Sequence, residues 1–159
     1  MIEKTLVIVK PDGVERQLVG RIIQRFEDVG LKIIGMKMTW VDAAFSKEHY
    51  AEHVEKSFYK SLEAFLTEGP VVALALQGVH AVQLVRKMVG STEPSKAQPG
   101  TIRGDFAHHS TEFANESGKA VKNLIHASAT KKDAETEIRL WFKDDELHDY
   151  DTVHTKHVF

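Results

Sequence analysis

Val71-Val72-Ala73-Leu74-Ala75-Leu76 is the stretch on which the fold turns. Six apolar residues in a row, closed off before by Gly69-Pro70, are too short for a typical helix and read as a strand. Helical spacing lies on both sides of it. Phe58, Leu62, Phe65 and Leu66 mark a helix that stops at Gly69-Pro70. Ala81, Val82, Val85, Met88 and Val89 mark another that ends at Gly90. Further out, Thr5-Leu6-Val7-Ile8-Val9 reads as a buried strand, ended by the turn chemistry of Lys10-Pro11-Asp12-Gly13.

Val19, Ile22, Ile23, Phe26 and Val29 follow as an amphipathic helix with Gly30 at its C-cap, and Ile34, Met36, Met38 and Trp40 alternate as a strand. Ser46 is placed to cap a short helix running through Tyr50 and His53. Residues 91–122 read as one long polar loop, a feature that in a compact domain usually carries function. Asn123-Leu124-Ile125-His126 forms a short strand end. Thr130-x-x-Asp133 resembles a capping box for a helix with Ala134, Ile138, Trp141 and Phe142 on its apolar face. The order β-α-β-(αα)-β-α-loop-β-α predicts an α+β fold: a ferredoxin-like antiparallel four-stranded sheet with helices on one face. Nothing marks a second domain, so residues 1–159 are expected to form a single domain with a C-terminal tail from about 143.

Composition narrows the function. The 159 residues carry a net charge of −2, which argues against general nucleic-acid binding. There is no cysteine, which excludes disulfides, thiolate metal sites and cysteine nucleophiles. No apolar run reaches the ~18 residues of a membrane span, and the N-terminus lacks a signal-peptide layout, so a cytoplasmic location is expected. Accordingly the sequon Asn115-Glu116-Ser117 and the tripeptide Arg103-Gly104-Asp105 are read as coincidental.

Nine histidines are present. His49 and His53 have i, i+4 spacing but no evident third metal ligand. His108 and His109 are expected in solvent, and the tail histidines show no ligand spacing. His126 differs. It ends an apolar strand, small residues follow it, and Glu137 sits at the edge of the buried stripe of the next helix. A carboxylate there can hold one ring nitrogen and leave the other as a nucleophile, with Ser128 steadying the carboxylate. The same spacing also fits a strand-end histidine beside a surface glutamate. Lys10, Arg86 and Arg103, with the hydroxyl of Thr92, supply fixed charge of the kind phosphoryl transfer requires, although each alone also reads as a solvated surface group. There is no Walker A loop and no Rossmann glycine pattern, so a nucleotide would have to be held by side chains.

Lys10-Pro11-Asp12-Gly13, Gly100-Thr101-Ile102-Arg103-Gly104-Asp105-Phe106, Asn123-Leu124-Ile125-His126-Ala127-Ser128 and Glu137-Ile138-Arg139-Leu140-Trp141-Phe142 occur in that order. Together they resemble nucleoside diphosphate kinases, over a span from Lys4 to about Phe142 and into the tail. The resemblance implies a ping-pong exchange: a nucleoside triphosphate such as ATP gives its γ-phosphate to His126, and a nucleoside diphosphate collects it. It implies Mg²⁺ on the nucleotide phosphates, with no dedicated protein ligands. It implies roles for Lys10 and Tyr50 at the transferring phosphoryl group, Arg86, Thr92 and Arg103 on the outer phosphates, Asn123 on the sugar hydroxyl, and Phe58 with Leu62 against the base. It also implies a homohexamer, with a tetramer as the alternative.

Three features depart from the family pattern. Lys56-Ser57 stands where Arg-Pro is usual, Ala129 replaces a common acidic residue, and the segment 107–122 is longer than usual. The longer segment is expected to cover the nucleotide pocket or to alter a subunit contact. Two rival readings share the fold: an inactive ferredoxin-like binding or scaffold protein, and a phosphohistidine relay between proteins. The first would have lost the nucleophile or its cations, and the second has no need of Phe58, Tyr50 and Asn123.

Overall fold

The computed structural model describes residues 1–158. Its centre is one antiparallel sheet of four strands: β1 (Ile2–Val9), β2 (Lys32–Thr39), β3 (Val71–Val79) and β4 (Ile125–Ala127), in the order β2-β3-β1-β4. This is the ferredoxin-like order the element pattern predicts. The helices are α1 (Pro11–Glu15), α2 (Val19–Asp28), α3 (Ala43–His49), α4 (Tyr59–Thr67), α5 (Ala81–Val89), α6 (Ile102–Phe106), α7 (Thr111–Ser117), α8 (Lys131–Trp141) and α9 (Thr155–Val158). Among the described residues no helix is long and apolar enough to cross a membrane.

The helices cover both faces of the sheet, not one. Residues of β1 and β3 alternate between two cores. Val7, Val9, Leu74 and Leu76 pack with Ile22 and Phe26 of α2 and Val85 and Val89 of α5. Leu6, Ile8, Ala73 and Ala75 pack with Tyr59 and Leu66 of α4 and Ile138 and Trp141 of α8. The uninterrupted apolar runs of β1 and β3 are the sequence signature of this double burial, since a strand exposed on one face would alternate with polar residues.

Four local expectations are corrected. A bulge between Ile33 and Gly35 makes Ile34 an extra residue in β2. Ile34 enters a core, whereas Met36, Met38 and Trp40 are exposed on the sheet edge. Asp42, not Ser46, caps α3: its carboxylate accepts the Phe45 N–H at 2.8 Å, and Ser46 lies buried inside the helix. Carboxylates and hydroxyls cap about equally well, so the earlier residue wins when it precedes the apolar stripe. Residues 91–122 are not one loop but hold α6, α7 and a 3₁₀ turn at Pro94–Lys96. Thr101 and Ser110 cap these short helices by accepting the Gly104 and Phe113 N–H groups. Finally, Pro11–Glu15 is a helical turn, with proline at the first helical position, where its fixed φ and missing N–H cost nothing.

Gly13 of α1 lies where this turn crosses β1. A Cβ there would stand 2.7 Å from Val9 Cγ1 and 3.0 Å from the Leu124 carbonyl oxygen. Gly13→Ala is therefore expected to destabilise the fold by about 1–3 kcal/mol, the usual scale of overpacking, as read by chemical denaturation.

Candidate functional site

The site is built on a backbone kink at Leu124. Its φ is +69°, a left-handed conformation that costs a leucine roughly 1–2 kcal/mol. Its backbone is held on both sides. Lys10 N–H donates to the Leu124 carbonyl at 2.8 Å, and Leu124 N–H donates to the Asp12 carboxylate at 3.1 Å. The Ile125 N–H closes a three-residue turn onto the Asn123 carbonyl at 2.8 Å. The kink lets Asn123 face Lys10 while Ile125–Ala127 continues as β4, placing His126 opposite Ile8 of β1.

His126 is held from behind. Its Nε2 lies 2.9 Å from Glu137 Oε1 on α8. An ionised carboxylate can only accept, so Nε2 carries the proton and Nδ1 is left with its lone pair. Ser128 donates to the second carboxylate oxygen, Oε2, at 2.5 Å, and its Oγ accepts the Leu6 N–H at 3.1 Å. Ser128 is fully buried. The chain β1–Ser128–Glu137–His126 thus ties the ring's orientation to the central sheet.

His49 lies against the ring, centroids 4.8 Å apart and nearly perpendicular. The Trp141 Nε1–H donates to its Nδ1 at 3.2 Å. Burial, and then the neighbouring His126, Lys10 and His53, press its pKa down to about 2, so it stays neutral. Among the described residues His53 is not grouped with His49 as a candidate metal ligand. His49 groups instead with His126 and Glu137, their candidate ligand atoms all within 4.8 Å of one another. In that group Glu137 is already hydrogen-bonded to His126 and His49 to Trp141. Tyr50 packs on His49 at 4.6 Å, and burial followed by the Glu137 charge raises its phenol pKa, keeping it protonated.

In front of His126 opens a cleft of about 340 Å³. Lys10, Tyr50, Phe58, Leu62, Arg86, Thr92, Arg103, Asn123 and His126 all line it. Glu137 and Ser128, the remaining residues singled out in the sequence, stand behind the histidine. Lys10 donates to Asn123 Oδ1 at 2.9 Å, and Asn123 Nδ2 donates to the Thr92 carbonyl at 2.9 Å. Arg103 is nearly buried and donates to the carbonyls of Asn123, Gly90 and Ile125 at 3.1, 3.1 and 2.6 Å. It braces the kinked strand while its charge faces the cleft. Burial, then Arg86, lowers its pKa to about 10, so it remains a cation. Phe58 is half exposed, with the Lys56 ammonium 5.8 Å from its ring centre.

Sequence reasoning did not assign parts to His49 behind His126 or to Asp12 beneath the kink. Their signals, the His49-Tyr50 pair and the acid in the Pro-Asp-Gly turn, gain meaning only from what packs against them.

Among the described residues no carboxylate lines the cleft. Such a lining suits anionic oxygens, and any Mg²⁺ would have to arrive on those oxygens with its own waters. The arrangement can therefore take an extended polyanion and present an imidazole nitrogen to one end of it.

The residues match known proteins along nearly their whole length. The family model for nucleoside diphosphate kinase matches residues 3–147. A nucleoside diphosphate kinase from Pyrococcus abyssi is 53% identical over 148 residues, covering 93% of this chain and 89% of that protein. Among solved structures, a transition-state mimic of the Borrelia burgdorferi enzyme with bound vanadate and ADP superposes with a TM-score of 0.96 at 44% identity, covering 99% of this chain and 96% of that one. A halophilic enzyme from Halobacterium salinarum in complex with CDP gives a TM-score of 0.89 at 42% identity, covering 100% and 99%.

Lys10 makes the anion site testable. Burial, then the Arg103 charge, lowers its pKa from 10.5 to about 7, against the pull of Asp12. At about 1.4 kcal/mol per tenfold change in proton affinity, that is roughly 5 kcal/mol, more than the ~1.5–3 kcal/mol of a hydrogen bond to a charged group recovers. A bound polyanion supplies the missing compensation. The cation is present below pH 7 and lost above it, so pyrophosphate affinity falls as pH rises from 7 to 9. In Lys10→Met the same titration lacks this loss, and the difference between the two profiles removes the probe's own ionisation. The unfolded chain keeps the proton up to pH 10.5, so the cost to stability is greatest below pH 7 and fades as pH rises toward 10.5. Lys10→Met is therefore expected to raise the melting temperature of the ligand-free protein more at pH 6 than at pH 9.

Proposed function

The chain belongs to the nucleoside diphosphate kinase family, and from that premise we propose that His126 Nδ1 carries the phosphoryl group in a two-step exchange between nucleotides. In the first step the bond from the γ-phosphorus of a nucleoside triphosphate to its bridging oxygen breaks and an Nδ1–P bond forms, releasing the nucleoside diphosphate. In the second, a terminal oxygen of another diphosphate attacks phosphorus and Nδ1 is regenerated. No proton need leave the ring, because Nε2 keeps its own in the bond to Glu137.

The observation that carries the reading is the grip on one side of the ring only. Glu137 takes Nε2 and Ser128 takes Glu137, while the ring also lines the cation-rich cleft. As phosphorus bonds to Nδ1 the imidazole gains positive charge, which the adjacent carboxylate stabilises. Lys10, which donates to Asn123 in the unliganded cleft, reaches the transferring group with Tyr50 beside it. Arg86, Thr92 and Arg103 receive the outer phosphates, and Asn123 the sugar hydroxyl. Phe58 offers a half-exposed ring for stacking, with Leu62 beside it. Mg²⁺ would arrive with the nucleotide in this reading and would help neutralise charge on the leaving group, while Lys10, Arg86 and Arg103 would take the phosphates themselves. The exposed edge strand β2, with Met36, Met38 and Trp40, supports assembly of copies, and a homohexamer is the state proposed.

Incubation with γ-³²P-ATP and Mg²⁺ is expected to label the protein acid-labilely, and GDP or dTDP is expected to discharge the label. His126→Gln should lower exchange by about 10⁴-fold or more, the scale on which losing a covalent nucleophile acts. Glu137→Gln is expected to cost about 10–100-fold through lost ring orientation. Absence of labelling would favour a scaffold, and label that no diphosphate removes would favour a protein-to-protein relay.

A further inference from the structure

A second cavity, of about 530 Å³, adjoins the cleft and shares Lys10, Phe58, Leu62, Thr92 and Asn123 with it. Its far wall is the longer segment that follows Phe106. Ala114 and Asn115 of α7, and then Gly118 to Val121, line it opposite Phe58, Ser57 and Ser61. This wall is firmly anchored. The Thr111 hydroxyl donates to Glu93 at 2.8 Å, the Ser95 N–H donates to the His109 carbonyl at 3.1 Å, and the Lys122 N–H donates to His109 Nδ1 at 3.3 Å. His109 is thus half-buried and bonded, not free in solvent as its sequence suggests. Gly118, at φ +64°, turns the chain out of α7 and delivers Lys119 to the cavity. The Lys122 ammonium is engaged elsewhere, paired with Glu68 and lying 3.9 Å from the Phe65 ring centre. No such partner is recorded for the Lys119 ammonium among the described residues.

A base stacked on Phe58 would therefore share this cavity with the exposed side chains of Asn115 and Lys119. We propose that Lys119, with Asn115 beside it, reads the edge of the base and makes this chain favour guanine nucleotides over adenine nucleotides. The inference rests on Phe58 being the base platform. An amide such as Asn115 both donates and accepts, so it can serve adenine or guanine. An ammonium only donates, and charge-assisted hydrogen bonds are about twice as strong as neutral ones. Lys119 therefore sets the sign. It matches the paired O6 and N7 acceptors of guanine, whereas adenine presents an amino group beside N7. The anchoring to Glu93 and His109 holds the wall in place before the nucleotide arrives, which lowers the ordering cost of binding.

Isothermal titration of GDP and ADP, each with Mg²⁺, tests this. The wild-type protein is expected to bind GDP about tenfold tighter, one good charged hydrogen bond's worth. Lys119→Ala should bring the ratio within about twofold of unity, and Lys119→Arg should keep it. Lys119→Glu should reverse it, because a carboxylate accepts from the adenine amino group and is repelled by O6. A wild-type ratio near unity, or a ratio unmoved by Lys119→Ala and Lys119→Glu, overturns the inference. Phe58→Ala separates the two levels. If it weakens both nucleotides, the platform stands whatever Lys119 does; if it weakens neither, platform and edge reading fall together.

Discussion

The bond from His126 Nε2 to Glu137 is the constraint on which the rest of the site depends. It joins the shortest strand, β4, to α8, and Ser128 extends it to the backbone of β1. One proton is thereby fixed on one nitrogen, and the orientation of the ring is set by the sheet rather than by a loop. Sites carried on strands and helices hold geometry better than sites on loops. Here the His126 ring sits on a three-residue strand that would be marginal alone. Its pairing with β1 and the carboxylate on α8 keep it in place.

The positive side of the cleft is arranged against the local preference for solvation. Lys10 and Arg103 are almost completely buried, and both have pKa values pulled below their ordinary range. Arg103 offsets the cost by bonding three backbone carbonyls, and the same bonds hold the left-handed turn at Leu124. Among the described residues the Lys10 ammonium donates one side-chain hydrogen bond, to Asn123, and retains a deficit. The cleft is thus an incompletely compensated cluster of positive charge, of the kind a polyphosphate would complete. Strain in the backbone and strain in the electrostatics sit within a few residues of one another, where binding can relieve them.

Much of this was legible in the sequence because the relevant signals are local. The unbroken apolar runs of β1 and β3, the Thr130 cap and the helical stripe of Ala134, Ile138 and Trp141 each declare themselves within a dozen residues, and the structure forms each of them, whereas Phe142 is buried just past the helix end, in extended conformation. The pairing of His126 with Glu137 was one of two readings of the spacing, and it is made in the fold. The misread elements depend on competition. Asp42 and Ser46 are both good caps, and only the start of the buried stripe decides between them. The bulge at Ile34 leaves no mark in an alternating pattern, because either phase of the alternation looks like a strand.

The sequence by itself determined the four strands and the longer helices, though not α1, α6 or α7, and its motifs, through their family resemblance, named most of the residues that line the cleft, because apolar periodicity and short motifs are properties of neighbours along the chain. Only the tertiary structure decided that helices cover both sheet faces, that His49 backs the His126 ring, that Asp12 holds the Leu124 turn, and that α7 and Phe58 line one cavity. Those relations join residues far apart in the chain, and they exist only once burial of the two cores has brought the segments together.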